Sequence, residues 1–428
     1  MPKTKSVAVI GAGACGLSVA YYLSKKGIKV DVFESSNDIG GLGGSYSIEG
    51  KSTEKFVHHM FYSDKYFRGL VEELGLSKLL HFKKSKDGVF IDGKIFSFSS
   101  PIDLLKFKPI SIYSRIRTGL VAAYLKKTKK YKKFENITAK DWIIKYFGLQ
   151  SYAKVWEPLL VAKFGSYSEK ISMSWFWARI HSRTAKLGYF SGGYEMFFRT
   201  LDSKIKENNG NIYLNSPVIN IKSTKSNKIK ITFKGKSKLY DSVVATIPPS
   251  VFEKITPEIK NTKYAKNLKL KEMISATTLN LVLHKSFMDY YWLNIMEKDF
   301  PFLVLIEHTN FVPRKPYKNK SVLYIGNYLN HSNQLFTNSA EQNFKIFFPY
   351  LKKINPKFSA NWIESYSKFN ALYAQPIVEN NYYKSIPKQK TPIKNLYLCT
   401  MSQIYPFDRG TNYAIRDAKK ISDLITNS

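Results

Sequence analysis

The sequence predicts an α/β protein in which a discontinuous Rossmann-like domain carries an inserted mixed α+β domain. A short apolar strand at residues 7–10 runs directly into a glycine turn at residues 11–16 and a helix-like segment. A second strand, Lys29–Phe33, ends in an acid, Glu34. A strand, a loop and a helix at residues 396–425 return the chain to this unit, which makes the first domain discontinuous.

The glycine turn has the spacing that the pyrophosphate of a dinucleotide requires. Gly11 permits a tight turn, Gly13 lets the backbone approach the phosphates, and Gly16 lets the helix pack closely on the strand. The N-terminal amides of the predicted helix Leu17–Lys26 then point at the phosphates. The predicted cofactor contacts in this turn are Gly11, Gly13, Ala14, Cys15 and Gly16.

The residues after the second strand indicate which dinucleotide binds. Glu34 lies 23 residues after Gly11, close to the offset of about 20 residues at which an acid accepts hydrogen bonds from a ribose. An acid there disfavours the 2′-phosphate of NADP, and we expect Ser35 to take part in the same contact. A second glycine cluster then exposes bare backbone, as an FAD site needs and a nicotinamide site does not; the alternative is a surface loop. Its predicted contacts are Gly40, Gly41, Gly43 and Gly44.

Length and composition limit the class of protein. A chain of 428 residues with 44% hydrophobic residues suggests two ordinary domains. No uninterrupted apolar stretch reaches the roughly 18–20 residues that span a bilayer, and the start runs straight into the first strand, so we expect no signal peptide. Two cysteines cannot form a disulfide framework or a cysteine metal site. The simplest expectation is a cytoplasmic protein without a metal.

The net charge of +35 raises the question of an anionic partner. Nucleic acid is disfavoured, because the excess is almost all lysine and only nine residues are arginine. One explanation is biased genome composition with a solvated surface, and the others are an anionic substrate or an anionic membrane surface. Residues 104–134 contain ten Lys or Arg and no acid, interleaved with apolar residues. That segment predicts either peripheral contact with anionic lipid or a helix with a wet lysine face.

The remaining elements follow from apolar periodicity and turn residues. Residues 66–80 predict a helix with Gly75 near its end, and Val89–Phe98 alternates as a hairpin around Asp92-Gly93. A further helical region, 138–165, begins at the N-cap Thr138. Predicted strands are Asn211–Ile221, Lys228–Phe233, Asp241–Ile247 and Leu396–Thr400, and the closing helix is Asn412–Ile425.

This order divides the chain into two predicted domains. The FAD-binding domain comprises residues 1–65, 190–256 and 390–428, and the substrate-binding domain comprises residues 66–189 and 257–389. Within the second domain, aromatic segments at 156–158 and 175–179 are either core or the wall of a substrate pocket. Lys163 and Tyr189 are candidate polar residues of that pocket.

Together the segments resemble the flavin amine oxidase and protoporphyrinogen oxidase superfamily, which also includes UDP-galactopyranose mutase and phytoene desaturases. The two glycine segments with Glu34 match its N-terminal FAD signature. Residues 216–221 are similar to the strand whose backbone, around Val218, brackets adenine in that family. Residues 240–248 resemble its D-x-V-V-x-T-x-P strand. The resemblance implies a glutathione-reductase-type FAD domain.

Residues 405–414 occupy the place of the C-terminal flavin motif of that superfamily. There, backbone amides at a helix N-terminus face the flavin pyrimidine. The segment departs from the glycine-rich version of the amine oxidases, and their flavin-adjacent lysine is not recognisable, which counts against amine oxidation. The implied cofactor contacts are Val218, Asp408, Arg409, Gly410, Thr411 and Asn412.

A second local resemblance points to the mutase. Residues 55–64 are similar to the mutase segment in which a histidine sits against the flavin, with His59 better aligned than His58. An extended backbone would turn only one of these two histidines to the flavin. His59 and Arg409 are the candidate catalytic residues. The candidates for a diphosphate clamp, as in the mutase, are Arg179, Arg183, Tyr366 and Tyr382.

Three functions remain open from the sequence. The first is an FAD-dependent oxidoreductase that acts through flavin N5 on a small-molecule substrate, either anionic or lipid-linked. The second is a mutase-like isomerase of a sugar nucleotide with no net electron transfer. The third is a non-catalytic flavoprotein-fold subunit that binds a membrane or partner through its basic face. Nothing in the sequence predicts the oligomeric state.

Overall fold

The computed structural model describes residues 5–427, and expectations for residues 1–4 and Ser428 lie outside that range. Its helices are α1 (Ala14–Ser24), α2 (Lys65–Glu73), α3 (Pro101–Lys106), α4 (Ile112–Lys127), α5 (Ala139–Phe147), α6 (Leu149–Ser151), α7 (Glu157–Phe164), α8 (Met173–Ser182), α9 (Tyr194–Glu207), α10 (Pro249–Ile255), α11 (Lys263–Lys269), α12 (Gln334–Thr337), α13 (Ala340–Ile354) and α14 (Thr411–Thr426).

Twenty strands accompany the helices within the described residues. They are β1 (Ser6–Ile10), β2 (Lys29–Phe33), β3 (Ser45–Ile48), β4 (Lys51–Glu54), β5 (Met60–Phe61), β6 (Leu80–Lys84), β7 (Asp87–Ile91), β8 (Lys94–Ser97), β9 (Lys186–Phe190), β10 (Asn211–Tyr213), β11 (Val218–Ser223), β12 (Ile229–Phe233), β13 (Lys236–Tyr240), β14 (Ser242–Ala245), β15 (Met273–Leu283), β16 (Trp292–Ile295), β17 (Val304–Glu307), β18 (Ser321–Leu329), β19 (Ile363–Pro376) and β20 (Leu396–Leu398).

A five-stranded parallel sheet of order β10-β2-β1-β14-β20 joins segments from the start, middle and end of the chain. Val7 and Val9 face the core that α1, α9 and α14 cover. Ala8 and Ile10 face a second core formed with β11–β13, α10 and α11. Because both faces are buried, β1 is apolar at every position rather than alternating. The exact limits of the two domains remain a prediction.

A second, larger sheet contains seven strands in the order β19-β15-β18-β17-β16-β7-β8. Its neighbours are antiparallel except for β16 and β7, which are parallel. Helix α13 packs against one face through Phe347 and Leu351. The opposite face carries Thr278, Ile306 and Gly326 toward a large cavity.

Helices α3–α8 form a layer beside this cavity with an aromatic core of their own. Trp142, Phe147 and Phe176 pack edge to face within it. The four aromatic residues predicted for either core or pocket all pack in this core. Three of them, Trp156, Trp175 and Phe176, also line the cavity.

Two of the predicted helices have different limits in the structure. The helix predicted at Leu17–Lys26 begins at Ala14, because Gly13 is already its N-cap. The helix predicted over 66–80 ends at Glu73, since Gly75 adopts a left-handed φ of 73°, and residues 80–84 form β6. Glycine is the usual residue where a chain leaves a helix in this conformation.

Two further predictions were wrong in detail, and others are confirmed. Region 138–165 is broken at Gly148, whose φ is 92°, and a π-helical turn at 152–156 precedes α7. The strand predicted at 211–221 is two strands in different sheets, because Pro217 interrupts it. The hairpin around Asp92-Gly93, the Thr138 N-cap and the closing helix are confirmed.

Candidate active site

The two glycine segments pack against each other at the carboxyl end of β1. Gly13 and Gly40 form a parallel bridge, and the Gly40 amide donates to the Ala12 carbonyl at 2.8 Å. A Cβ on Gly41 would lie 3.2 Å from the Cα of Gly13, and one on Gly43 would lie 2.7 Å from the Phe198 ring. The predicted contacts Gly40, Gly41, Gly43 and Gly44 thus lie beside the first turn.

The first glycine turn is closely packed at Gly16 and has open space beside Gly13. A Cβ on Gly16 would lie 1.9 Å from the Gly11 carbonyl oxygen, so no larger residue fits there. A Cβ on Gly13 would meet nothing nearer than Gly41 Cα at 4.0 Å. The first-turn amides of α1, at Ala14 and Cys15, have no intrahelical acceptors. This open side with free amides is a cradle that fits a pyrophosphate.

The acid and the adenine-side strand lie next to this cradle. One Glu34 carboxylate oxygen accepts from the Ala12 amide at 2.7 Å, and the other accepts from the Ser35 hydroxyl at 3.1 Å. The Ser216 amide donates to the Glu34 carbonyl at 2.7 Å. That bond brings the segment leading into Val218 alongside the acid, so the residues predicted for ribose and adenine are neighbours in space.

A cavity of about 390 Å³ lies between the seven-stranded sheet, helices α7 and α8, and the start of α14. Leu42, within the second glycine segment, lines one wall. Gly410, Thr411 and Asn412, at the N-terminus of α14, line another. The cavity therefore lies beside the second glycine segment and the start of α14.

His58 and His59 both line this cavity, and which of them faces the flavin stays a prediction. The His59 Nδ1 shares a hydrogen bond with the Tyr291 hydroxyl at 3.0 Å. The His58 Nδ1 lies 2.7 Å from the Phe56 carbonyl oxygen. Burial lowers the pKa of His59 to about 3 and that of His58 to about 4. Both imidazoles are uncharged at neutral pH.

Asp408 is the centre of a charged cluster in the cavity wall. Its carboxylate accepts from Arg179 at 2.5 Å and lies 3.9 Å from the Lys163 ammonium. The Trp175 indole and the Arg409 amide each donate to it at 3.1 Å. Burial by itself raises the pKa of Asp408, but the surrounding cations hold that pKa well below its usual range. One carboxylate thus organises a cluster of cations.

Two arginines of the cavity have different surroundings. Arg409 donates through Nε to the Gln375 side-chain oxygen at 3.0 Å and through Nη2 to the Tyr328 hydroxyl at 2.6 Å. Arg183 lines the same cavity and forms no ion pair with a carboxylate among residues 5–427. Burial, and then the charge of Arg179, lower the pKa of Arg183 to about 10. Arg183 is still charged at neutral pH.

Sequence comparison places this arrangement in a known family. The sequence profile of the flavin containing amine oxidoreductases matches residues 14–425. The chain belongs to this family.

Individual relatives match over shorter stretches. Mitochondrial protoporphyrinogen oxidase from Nicotiana tabacum is 29% identical over 174 residues, which are 40% of this chain and 34% of that protein. Coproporphyrinogen III oxidase from Staphylococcus aureus is 24% identical over 291 residues, 58% of this chain and 62% of that protein. The aligned part thus spans less than two thirds of either relative.

A solved structure of reduced UDP-galactopyranose mutase matches with a TM-score of 0.77 over 99% of this chain and 96% of that chain. Its sequence is 14% identical, so the similarity concerns the fold alone. The resemblance to both the oxidase and mutase branches is thereby confirmed. It does not assign a reaction to this family member.

In this family member the predicted clamp residues do not all lie together. Arg179 and Arg183 both line the cavity. Tyr366 is instead partly exposed and stacks on Phe344, and Tyr382 donates to the Ser402 carbonyl in a buried site. Neither tyrosine lines the cavity, because β19 and the loop after it point these rings elsewhere.

Other predicted residues have unexpected partners. The Asn412 side-chain oxygen accepts from the Tyr66 and Phe67 amides, so that oxygen is not free to contact a cofactor. Cys15 Sγ lies 3.3 Å from Cys399 Sγ, and both thiols are free. The Tyr189 hydroxyl donates to Glu54 and does not line the cavity.

Sequence reasoning missed Gln375 and Tyr328, which hold Arg409. Both lie on long strands of the seven-stranded sheet, β19 and β18, whose sequences resemble any half-buried strand. Lys163 was flagged only as a candidate pocket residue. It lines the cavity, where burial lowers its pKa well below the usual range and Asp408 opposes that effect.

Proposed function

We propose that this protein is an FAD-dependent oxidoreductase that transfers two electrons between flavin N5 and an anionic small molecule held in the cavity. The observation that carries the proposal is the charge of the cavity wall. The wall carries three arginines, Arg179, Arg183 and Arg409, together with Lys163, whose pKa burial lowers well below its usual range. Two carboxyl groups, Asp64 and Asp408, lie in the same wall. Even with both of them ionised, the arginines outnumber the carboxylates, which favours an anion.

The cradle supports FAD as the cofactor. Gly13 and the first turn of α1 would hold the pyrophosphate, and Glu34 would accept from the ribose. The N-terminus of α14 would face the pyrimidine end, where a helix dipole favours negative charge. When bound, FAD supplies N5 as the acceptor or donor of a hydride. The protein supplies position, charge and exclusion of water.

Some cationic side chains of the cavity are held by hydrogen bonds within the protein, and others are available to contact the substrate. Asp408, Gln375 and Tyr328 fix the guanidinium groups of Arg179 and Arg409 in place. Arg183 has no such carboxylate partner, so its planar guanidinium is available for a carboxylate or phosphate of the substrate. His59 keeps its Nε2 for the reacting part of the substrate, since Nδ1 is bound to Tyr291.

The same charge counts against amines as substrates. An ammonium group in this cavity would meet arginines that Asp408 only partly neutralises. The neutral state of His58 and His59 offers no compensating negative charge. The two relatives named above are oxidases of porphyrinogens. Porphyrinogens are therefore the first substrates to assay, with simple amines as the contrasting class.

The alternative is a mutase-like isomerase, since paired Arg179 and Arg183 would also suit the diphosphate of a sugar nucleotide. The experiment is a spectrum of the purified protein followed by anaerobic mixing with substrates. Bleaching of oxidised flavin by an anionic substrate, without bleaching by amines, is the expected result. Turnover of a nucleotide sugar only after dithionite reduction would favour the mutase, and colourless protein that cannot be reconstituted with FAD would exclude both.

A further inference from the structure

A surface of helices α3 and α4 exposes apolar side chains that a solvated surface does not need. Among residues 5–427, seven of the eighteen large hydrophobic residues that are exposed lie between residues 102 and 124. Such clustering marks an interaction site, whereas scattered exposed residues do not. We name this surface the apolar ridge; it consists of Ile102, Leu105, Ile112, Tyr113, Ile116, Leu120 and Tyr124.

Helix α4 exposes an apolar stripe that a helix on a water-soluble surface would not have. Ile112, Ile116 and Leu120 repeat every four residues on the outer side and run on to Tyr124, over about 18 Å at 1.5 Å per residue. The inner side holds the helix in place: Thr118 and Ser151 share a hydrogen bond at 2.9 Å, and Leu125 packs in the aromatic core. The outer apolar side is therefore not needed for packing within the protein.

Lysines lie at both ends of the apolar ridge. No acid occurs from residue 104 to residue 134. Arg115 and Arg117 are bound to backbone carbonyls of the protein, so they belong to the fold. The exposed cations at the ends of the ridge are Lys106, Lys108, Lys127, Lys129, Lys130, Lys132 and Lys133.

The lysine charges distinguish between two partners that could cover the apolar ridge, a second copy of the chain and a lipid surface. A second copy of the chain would bring two sets of lysines together around a shared apolar contact, which like-charge repulsion disfavours. A convex helix with apolar and tyrosine side chains, flanked by lysines, has instead the composition of an element that lies in the interface of anionic lipid. None of the helices in the described part of the chain is long and apolar enough to cross a bilayer.

We propose that α3 and α4 dock on an anionic lipid surface, with the apolar ridge in the acyl boundary and the flanking lysines at the phosphates. The contact is peripheral and parallel to the membrane. Helix α8, which carries Arg179, packs directly on α4. Docking would hold the catalytic cavity one helical layer from the lipid. The proposal stands independently of the reaction that the cavity catalyses.

The first test is co-sedimentation of the full flavin-loaded protein with vesicles of phosphatidylcholine and phosphatidylglycerol in equal parts. The variant Ile116→Ser/Leu120→Ser should bind at least about tenfold more weakly, since two exposed apolar side chains no longer enter the acyl region. The matched control is Leu239→Ser/Leu270→Ser, whose side chains are 51% and 62% exposed on other surfaces. Flavin content and thermal stability should stay unchanged in both variants.

The second test removes charge. Lys127→Gln/Lys129→Gln/Lys130→Gln should weaken binding to these vesicles by about fivefold per lysine at low salt. It should leave the already weak binding to pure phosphatidylcholine unchanged. The matched control is Lys222→Gln/Lys225→Gln/Lys236→Gln, three exposed lysines of the β11–β13 region.

Three results would overturn the proposal. The first is an absence of vesicle binding by the wild-type protein at low salt. The second is equal loss of binding in the ridge variant and its control. The third is a wild-type dimer in size-exclusion chromatography that the ridge variant converts to a monomer, since a second copy would then cover the ridge.

Discussion

The glycine cradle and the cavity are adjacent, but they are built in different ways. The cradle uses backbone: Gly13, Gly41 and the first amides of α1 lie within about thirty residues of one another in the chain. The cavity uses side chains, and Asp408 meets Lys163 and Arg179 across more than two hundred residues. A site built from backbone atoms keeps its shape when the surrounding side chains vary. A site built from side chains changes when one of those side chains is substituted.

This difference predicts that substitutions in the two regions have separate effects. Variants of the cradle should lose the cofactor and thereby all activity. Variants of the cavity should keep the cofactor and lose turnover, substrate affinity or stability. A cavity variant that also lost flavin would show that the two regions act as one site.

The largest effect is expected from Gly13→Val. The residue has an ordinary φ of −79°, and a Cβ there meets no protein atom closer than 4.0 Å, so the fold should tolerate it. The new side chain would occupy the space of the pyrophosphate, and flavin affinity should fall by more than about a hundredfold. The flavin absorbance of the purified protein measures this. Gly69→Val, at an open position of α2, is the control that should keep its flavin.

His59→Ala should have the next largest effect. We expect normal flavin content and a kcat about a hundredfold lower, because the substrate loses a neutral hydrogen-bonding imidazole. The lowered pKa of His59, about 3, also predicts that wild-type activity shows no step near pH 6.5 from this residue. His331→Ala, at an exposed position, is the control. Unchanged kinetics in His59→Ala would assign His59 to packing alone.

Asp408→Asn should lower the free energy of unfolding by about 2 kcal/mol at pH 7, because it leaves buried cations without their carboxylate. The pKa of Asp408 is lowered in the folded protein, so its stabilising effect is complete above the ordinary value of 3.8. The effect is lost as the pH falls through the folded pKa. Urea unfolding at several pH values should show the difference from wild type shrinking below about pH 4.

The control for that measurement is Asp423→Asn, which removes an exposed pair with Lys26. Surface pairs contribute less than about 1 kcal/mol, so this variant should stay close to wild type. If both variants lost the same stability, the Asp408 cluster would be no more than a surface ion pair.

The smallest effect is expected from Arg183→Gln. It should raise KM for an anionic substrate about tenfold, with kcat and flavin content preserved, since one charged hydrogen bond to the substrate is lost. Stability should change little, because Arg183 forms no ion pair within the described residues and the repulsion from Arg179 opposes the attraction from Asp87 and Asp408. Steady-state kinetics measure the change, with Arg199→Gln on the α9 surface as control. An unchanged KM would remove Arg183 from substrate binding.

Some features could be predicted from the sequence because they depend only on residues close to one another in the chain. The glycine turn, Glu34 and the Asp92-Gly93 hairpin are set by local backbone geometry, so their spacing predicts them. The ends of helices were predicted less well, as Gly75 and Gly148 show. A glycine that ends one helix can be tolerated in the interior of another, and the sequence does not distinguish the two.

The sequence by itself therefore determined the family and the parallel sheet of the Rossmann-like core. Tertiary structure alone decided that both His58 and His59 face the cavity, that Gln375 and Tyr328 hold Arg409, and that Tyr366 and Tyr382 lie elsewhere. It also turned the apolar side of α4 outward. The physical reason is range: backbone geometry acts over a few residues, whereas charge and burial depend on which distant segments the fold brings together.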